Sequence, residues 1–319
     1  MKDIKWLTGI CTYLLIFNVI PAKISAQEIQ SRLEKSNTFK SDVLKRDVKY
    51  AAYTPQNYDT AHTEYPVIFL LNGYGGNEKM WQRDFSIKEK LDSLISNYFL
   101  YPCIAVMPDG MNSYYINDYQ DKIRYEDFLN HEFIPYIDSV FHVTKDKRYR
   151  AVAGISMGGF GAVIHSVKYP DTYGTCIALG AAIRTDSMVM NAKPGQYEQL
   201  LSPLFGQLEP QNRITDYWKK NNPLYMIDSV NAPVLARSNW YIDCGMFDYL
   251  YDGNKAFHEL LIKYRIPHEY HMRIGEHNGK YWQISFIPGL LFWNNQLRRY
   301  TLEDAQQKNI ANEVIENSH

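Results

Sequence analysis

A chain of 319 residues, 45% hydrophobic and 22% charged, can bury a sizeable core, which excludes a disordered or fibrous protein. Its net charge of −1, with no basic run and no basic-aromatic stripe, leaves no footing for nucleic acid as a partner. At the N-terminus, Lys2 and Lys5 precede an apolar stretch, Trp6 to Ile20, and Pro21 and the small residues Ser25-Ala26 follow. This is the pattern of a signal peptide over residues 1–26, cleaved after Ala26, because the stretch falls short of the ~20 residues that a spanning helix prefers. The mature chain, 27–319, is then expected to be secreted or periplasmic, with no stable membrane association after cleavage. Cleavage leaves Cys103, Cys176 and Cys244, each in or beside an apolar run, and buried free thiols are expected.

Residues 27–45 are polar and predict a lead-in strand or arm; Arg46 to Thr54 alternates as a strand and stops at Pro55. Val67 to Leu71 is short and wholly apolar, the pattern of a strand buried on both faces, and it ends in the loop Asn72-Gly73-Tyr74-Gly75-Gly76. A helix through Ile87 to Leu94 precedes a second buried strand, Cys103 to Met107. A loop rich in tyrosine and asparagine, 111–120, leads to a helix from Tyr125 to Val140, with a kink expected at Pro135. The strand Tyr149 to Ile155, the helix Gly158 to Lys168 and the strand Thr175 to Ala181 follow. Residues 183–232 break the rhythm and read as an inserted cap of short helices. A strand (Asn239 to Cys244), a helix (Lys255 to Tyr264), a strand (Glu269 to Ile274) and a closing helix (Tyr281 to Arg299) complete the chain. Strands alternating with helices imply an α/β protein with a mostly parallel, doubly wound sheet. With no repeat or linker in the sequence, one domain over 27–319 is expected.

The strongest local signal is Gly154-Ile155-Ser156-Met157-Gly158, set between an apolar strand and a small-residue helix. In that context Gly-x-Ser-x-Gly predicts a nucleophile elbow, whose sharp turn lifts Ser156 above the strand end at a helix N-terminus. A serine hydroxyl needs a base, and the base an acid, in chain order serine, acid, histidine. His165, His258, His268 and His271 fall in helices or on the last strand, and His319 is terminal. His277 sits in a loop just past that strand and is the candidate base. The acid lies among Asp243, Asp248 and Asp252; Asp248, past Gly245 in the loop, is the first choice, and Asp243, still on the strand, suits a structural role. An oxyanion hole needs two backbone N–H groups, for which Met157 and Tyr74 are the candidates.

With these residues in place the chain resembles the esterase D-like branch of the α/β hydrolases, which includes carbohydrate esterase family 1, the feruloyl and acetyl xylan esterases. The resemblance spans roughly residues 40–298. It rests on Val67 to Trp81, Met107-Pro-Asp-Gly, Glu132-Phe-Ile-Pro-Tyr-Ile-Asp138, Gly154 to Gly161, Asp243-Cys-Gly-Met-Phe-Asp248 and Gly275-Glu-His-Asn-Gly-Lys-Tyr-Trp282. In that family the second aspartate of the acid loop is the catalytic one, which supports Asp248. One departure is Asn72-Gly73, where the family usually has His-Gly; packing beneath the loop is expected to differ.

The resemblance implies an α/β-hydrolase fold with a small helical cap and an exported serine ester hydrolase acting on carbohydrate-linked esters of xylan. It implies no metal and no cofactor. Tyr114, Tyr115, Trp218 and Trp282 are the aromatic candidates for substrate contact. Rival readings are an acyltransferase on the same fold, a general short-chain or S-formylglutathione-type esterase, a peptidase and a non-catalytic carbohydrate-binding relative. Oligomeric state has no sequence signal.

Overall fold

Short apolar strands bury side chains on both faces, and β3 (Val67–Leu71) shows how: Val67, Phe69 and Leu71 enter one core while Ile68 and Leu70 enter the other. The computed structural model describes residues 30–59 and 63–316, with side chains to residue 309, so the expected signal segment 1–26 lies outside the described residues. The other strands are β1 (Arg32–Ser41), β2 (Arg46–Thr54), β4 (Ile104–Pro108), β5 (Arg150–Ile155), β6 (Thr175–Leu179), β7 (Asn239–Gly245) and β8 (Glu269–Arg273). They form one sheet in the order β1-β2-β4-β3-β5-β6-β7-β8, with β1 and β2 antiparallel and the rest parallel.

After β3 the chain crosses to β4 on one side and then returns to β5 on the other. This reversal sets the loops that follow β3 and β5 side by side at the carboxyl edge, where doubly wound sheets hold their ligands. Helices cover both faces. The helix Met157–Lys168 packs Val163 and Ile164 into one core; Trp81, Phe85 and Leu91, with Phe286, Leu290 and Trp293 of the long helix Gly279–Glu316, fill the other. Each large apolar side chain so buried contributes roughly 1.5–3 kcal/mol.

The helix expected over Tyr125 to Val140 is present but divided: a short turn (Tyr125–Asp127), a π-helical stretch (Phe128–Phe133) and an α-helix (Ile134–Val140). Pro135 lacks an N–H and would clash with the carbonyl a turn earlier, and the widened π-helical stretch ends just before it. Six short helices lie between Asp186 and Leu235 in the expected cap. Isolated helices of four or five residues are unstable in water. Thr185, Thr215 and Asn222 cap three of them, and Tyr197, Phe205 and Trp218 anchor the segment in the core. Cys103, Cys176 and Cys244 are buried and free. Among the described residues no helix is long and apolar enough to cross a membrane.

Two predictions follow from packing at the helix Met157–Lys168. A Cβ on Gly158 would stand 2.1 Å from the carbonyl oxygen of Leu71 on the neighbouring strand. Gly158→Ala should therefore destabilise the protein by about 2–3 kcal/mol, measured by urea denaturation. His165, fully buried, donates from Nε2 to the Tyr115 carbonyl (2.8 Å) and accepts on Nδ1 from Asn130 Nδ2 (3.0 Å). Burial lowers its pKa from the ordinary 6.5 to about 4, because a second ring proton would be desolvated and would face the Asn130 amide. In the unfolded chain the imidazole binds a proton below pH 6.5, whereas the folded protein does not until about pH 4. His165 then contributes no loss of stability above pH 6.5 and a growing one as pH falls toward 4, reaching about 3 kcal/mol. Urea titrations at pH 7 and 4.5 should show this slope reduced in His165→Gln.

Candidate active site

Ser156 occupies the turn between β5 and its helix with φ 54° and ψ −115°, a conformation that a non-glycine residue holds only when its surroundings impose it. They do so from two sides. The Ser156 N–H donates to the Leu179 carbonyl (2.9 Å), and the Ser156 carbonyl accepts from Ala182 N (2.9 Å), so β6 and the loop after it grip the turn. The helix folds back so tightly that a Cβ on Gly154 would lie 2.2 Å from the Gly158 carbonyl carbon. The two glycines of the Gly-x-Ser-x-Gly pattern are thus required by close backbone approach.

Ser156 Oγ lies 2.8 Å from His277 Nε2, and His277 Nδ1 lies 2.8 Å from Asp248 Oδ2. Three loops converge to make this line. The Asp248 loop is stitched to the His277 loop through Met246 N–H to the Arg273 carbonyl (2.8 Å) and Phe247 N–H to the Gly275 carbonyl (2.9 Å). The second oxygen of Asp248 accepts from Leu250 N (2.8 Å), and its side chain is buried. A carboxylate held by a backbone donor and an imidazole keeps its negative charge facing Nδ1, which fixes the ring and its tautomer. Trp282 packs edge-on to the His277 ring at 4.8 Å and Tyr249 at 4.6 Å.

The other acidic candidates stand elsewhere. Asp243 is fully buried on β7, where it ion-pairs with Arg273 and accepts from Tyr281 Oη, Ser285 Oγ (3.2 Å) and Tyr241 Oη (3.1 Å). It ties β7, β8 and the start of the last helix together. Asp252 is exposed in the first turn of the helix Tyr251–Lys263.

The loop after β3 lies against the serine: a Cβ on Gly73 would make ordinary contact, 3.6 Å, with Ser156 Cβ. Among the described residues no protein acceptor takes the amides of Tyr74 or Met157. Asn72, at the departure from the family pattern, is a strut under this loop. Its Oδ1 accepts from Gly110 N (2.9 Å), and its Nδ2 donates to the Gly73 carbonyl (2.9 Å).

Ser156 opens into a cleft of about 510 Å³, walled by Tyr74, Met80, Tyr249, His277 and Trp282. Of the four aromatic candidates, Trp282 alone reaches it. Tyr115 is not a substrate contact: it is fully buried, its ring wedged against Gly161 and its hydroxyl donating to the Asn72 carbonyl and Oδ1 pair (3.0 and 3.2 Å). Trp218 is likewise inside the cap, donating to Asp186 (3.1 Å) and packed on Phe205. Tyr114 is buried behind Tyr74 and Phe160. Sequence reasoning passed over Tyr249, which is half exposed and shares the wall with Leu200; its place directly after Asp248 was the available signal.

A hydroxyl, an imidazole and a carboxylate in this line can activate the hydroxyl for attack on an acyl carbon and later return the proton to a leaving group. A family model described as "Putative esterase" matches residues 41–293. An acetyl esterase of Caldicellulosiruptor saccharolyticus is 24% identical over 272 residues, covering 81% of this chain and 97% of that protein. An endo-1,4-beta-xylanase/feruloyl esterase of Xylanibacter ruminicola is 33% identical over 129 residues, 38% of this chain and 18% of its own length. Among solved structures, a ferulic acid esterase superposes with a TM-score of 0.72 at 24% identity, covering 84% of this chain and 99% of its own. The fold is therefore the α/β-hydrolase fold, and the chain belongs to the esterase family, as an ester hydrolase.

Proposed function

We propose that the chain is an exported serine carboxylic ester hydrolase that releases acetyl or feruloyl groups from plant cell-wall polysaccharide through an acyl-enzyme on Ser156. The observation that carries the reading is the hydrogen-bonded line Ser156–His277–Asp248 on a strained turn at the floor of the cleft. His277 Nε2 takes the hydroxyl proton as Oγ attacks the ester carbonyl, and Asp248 holds the resulting imidazolium. The amides of Tyr74 and Met157 receive the oxyanion, with the N-terminus of the helix Met157–Lys168 adding favourable potential. His277 then protonates the departing alcohol, and water repeats the sequence on the acyl-enzyme. Export rests on the signal-like segment 1–26. The acetyl or feruloyl preference rests on the names of the relatives and on the aromatic walls Tyr74, Tyr249 and Trp282, which suit a planar acyl group as well as a sugar.

The test is kinetic. Ser156→Ala should lower kcat on p-nitrophenyl acetate by a thousandfold or more, on the order of what nucleophile loss costs in comparable triads. Asp248→Asn should cost about 10²–10⁴ in kcat by holding His277 in the wrong tautomer, while Asp252→Asn stays within about twofold of the parent. An active Ser156→Ala variant would sink the assignment, and the reverse order of the two aspartates would reassign the acid. Methyl ferulate, acetylated xylan and short p-nitrophenyl esters, compared by kcat/KM, test the substrate class.

A further inference from the structure

Tyr249 and Leu200 are walls shared by two cavities. Behind them, under the cap, lies a second pocket of about 410 Å³ lined by Arg184, Asn191, Lys193 and Gln196, and no carboxylate side chain lines it. Arg184 is buried at 6% exposure. One guanidinium nitrogen donates to the Ala182 carbonyl (3.0 Å), and the group lies 5.8 Å from the Tyr114 ring centre. Among the described residues no carboxylate lies within ion-pair distance of it. The nearest acid in sequence, Asp186, is engaged by Trp218 Nε1 and Tyr225 Oη. A buried guanidinium without an anion forfeits hydration at a cost that an incoming carboxylate would offset, and its planar donor fork suits that group.

The pocket is attached to the site by its backbone. Ala182, whose carbonyl holds Arg184, donates its N–H to the Ser156 carbonyl (2.9 Å), so Arg184 sits two residues from the clamp on the serine turn. Tyr249, the partition, packs on the His277 ring, and His277 is the group that returns a proton to the leaving alcohol in the function proposed above. Only Tyr249 and Leu200 stand between the His277 side of the cleft and the cationic pocket.

We propose that this pocket binds a carboxylate carried by the alcohol half of the substrate, with Arg184 as the buried anchor and Lys193 on the rim, so that esters of acidic alcohols such as acidic sugars are preferred. The inference rests on the ester hydrolase reading. It is tested with 4-acetoxybenzoate, whose leaving alcohol carries a carboxylate, against its neutral methyl ester. The expected result is a higher kcat/KM for the charged ester in the parent, with Arg184→Gln lowering the charged-to-neutral ratio by about 10- to 100-fold and Arg184→Lys restoring part of it. Lys193→Gln, on the exposed rim, should lower the ratio by up to about fivefold and serves if Arg184→Gln does not fold. A ratio that neither Arg184→Gln nor Lys193→Gln alters overturns the pocket while leaving Ser156 chemistry standing. So does a preference confined to esters with the charge on the acyl side, such as mono-p-nitrophenyl glutarate. Calorimetric binding of 4-hydroxybenzoate to the Ser156→Ala protein, weakened at least tenfold when Arg184→Gln is added, reads the pocket without turnover. Equal binding with and without Arg184 overturns it.

Discussion

The site depends on a backbone that is forced to turn where no side chain relieves it. Ser156 holds a positive φ because β5 ends against Leu71 of β3 and Leu179 of β6, and because the following helix must pass within contact of both strands. Such a conformation costs of the order of 1–3 kcal/mol and persists only where neighbours over-determine it. Here the neighbours are the central strands, buried on both faces. The strain therefore rests on the least deformable part of the molecule, and the serine is presented at the N-terminus of a helix rather than packed into it.

The partners of the serine come from the loops after β7 and β8, at the same carboxyl edge of the parallel sheet, and their alignment is an electrostatic problem as much as a steric one. Asp243 and Asp248 are five residues apart and both buried, yet their surroundings divide their tasks. Asp243 is satisfied by Arg273 and three hydroxyls and braces β7 against β8 and the last helix. Asp248 has a backbone donor, Leu250 N–H, the neighbouring Cys244 thiol and the imidazole, with one carboxylate oxygen facing His277 Nδ1. Because the two loops are joined by backbone hydrogen bonds, the spacing between acid and base is set by main chain, and the rings of Tyr249 and Trp282 have only to hold the imidazole's tilt.

Much of this was legible in the residues. The strands of the central sheet are continuous apolar runs, and such runs announce themselves. Ser156, Asp248 and His277 sit at strand ends, where chain order and glycine punctuation locate them. What escaped was whatever depends on contacts between segments far apart in sequence. The loop 111–120 looked like a display of aromatic side chains, but Tyr115 turns inward because glycines at 110 and 161 leave a slot for its ring and Asn72 offers an acceptor. Trp218 has the look of a cap residue facing substrate, yet its indole N–H finds Asp186 inside the cap. The helix around Pro135 also holds a π-helical stretch, Phe128–Phe133, that the near-helical spacing of its apolar residues does not announce. No local pattern carries the placements of Tyr115 and Trp218, because Asn72, Gly161 and Asp186 lie tens of residues away.

The same division explains where specificity can reside. The reacting line is built on strand ends gripped by the sheet, so altering it strains the core. The far wall of the cleft comes from Leu200, in a cap of short helices held by side-chain caps at Thr185, Thr215 and Asn222 and by a few aromatic anchors. Changes there need not disturb β5 or its turn. Tyr249 is the exception, since it touches the His277 ring and also divides the cleft from the pocket that holds Arg184. A side chain in both places ties the partition between the two cavities to the orientation of the His277 imidazole. With His277 in the role proposed above, a change at Tyr249 would be felt in kcat as well as in KM.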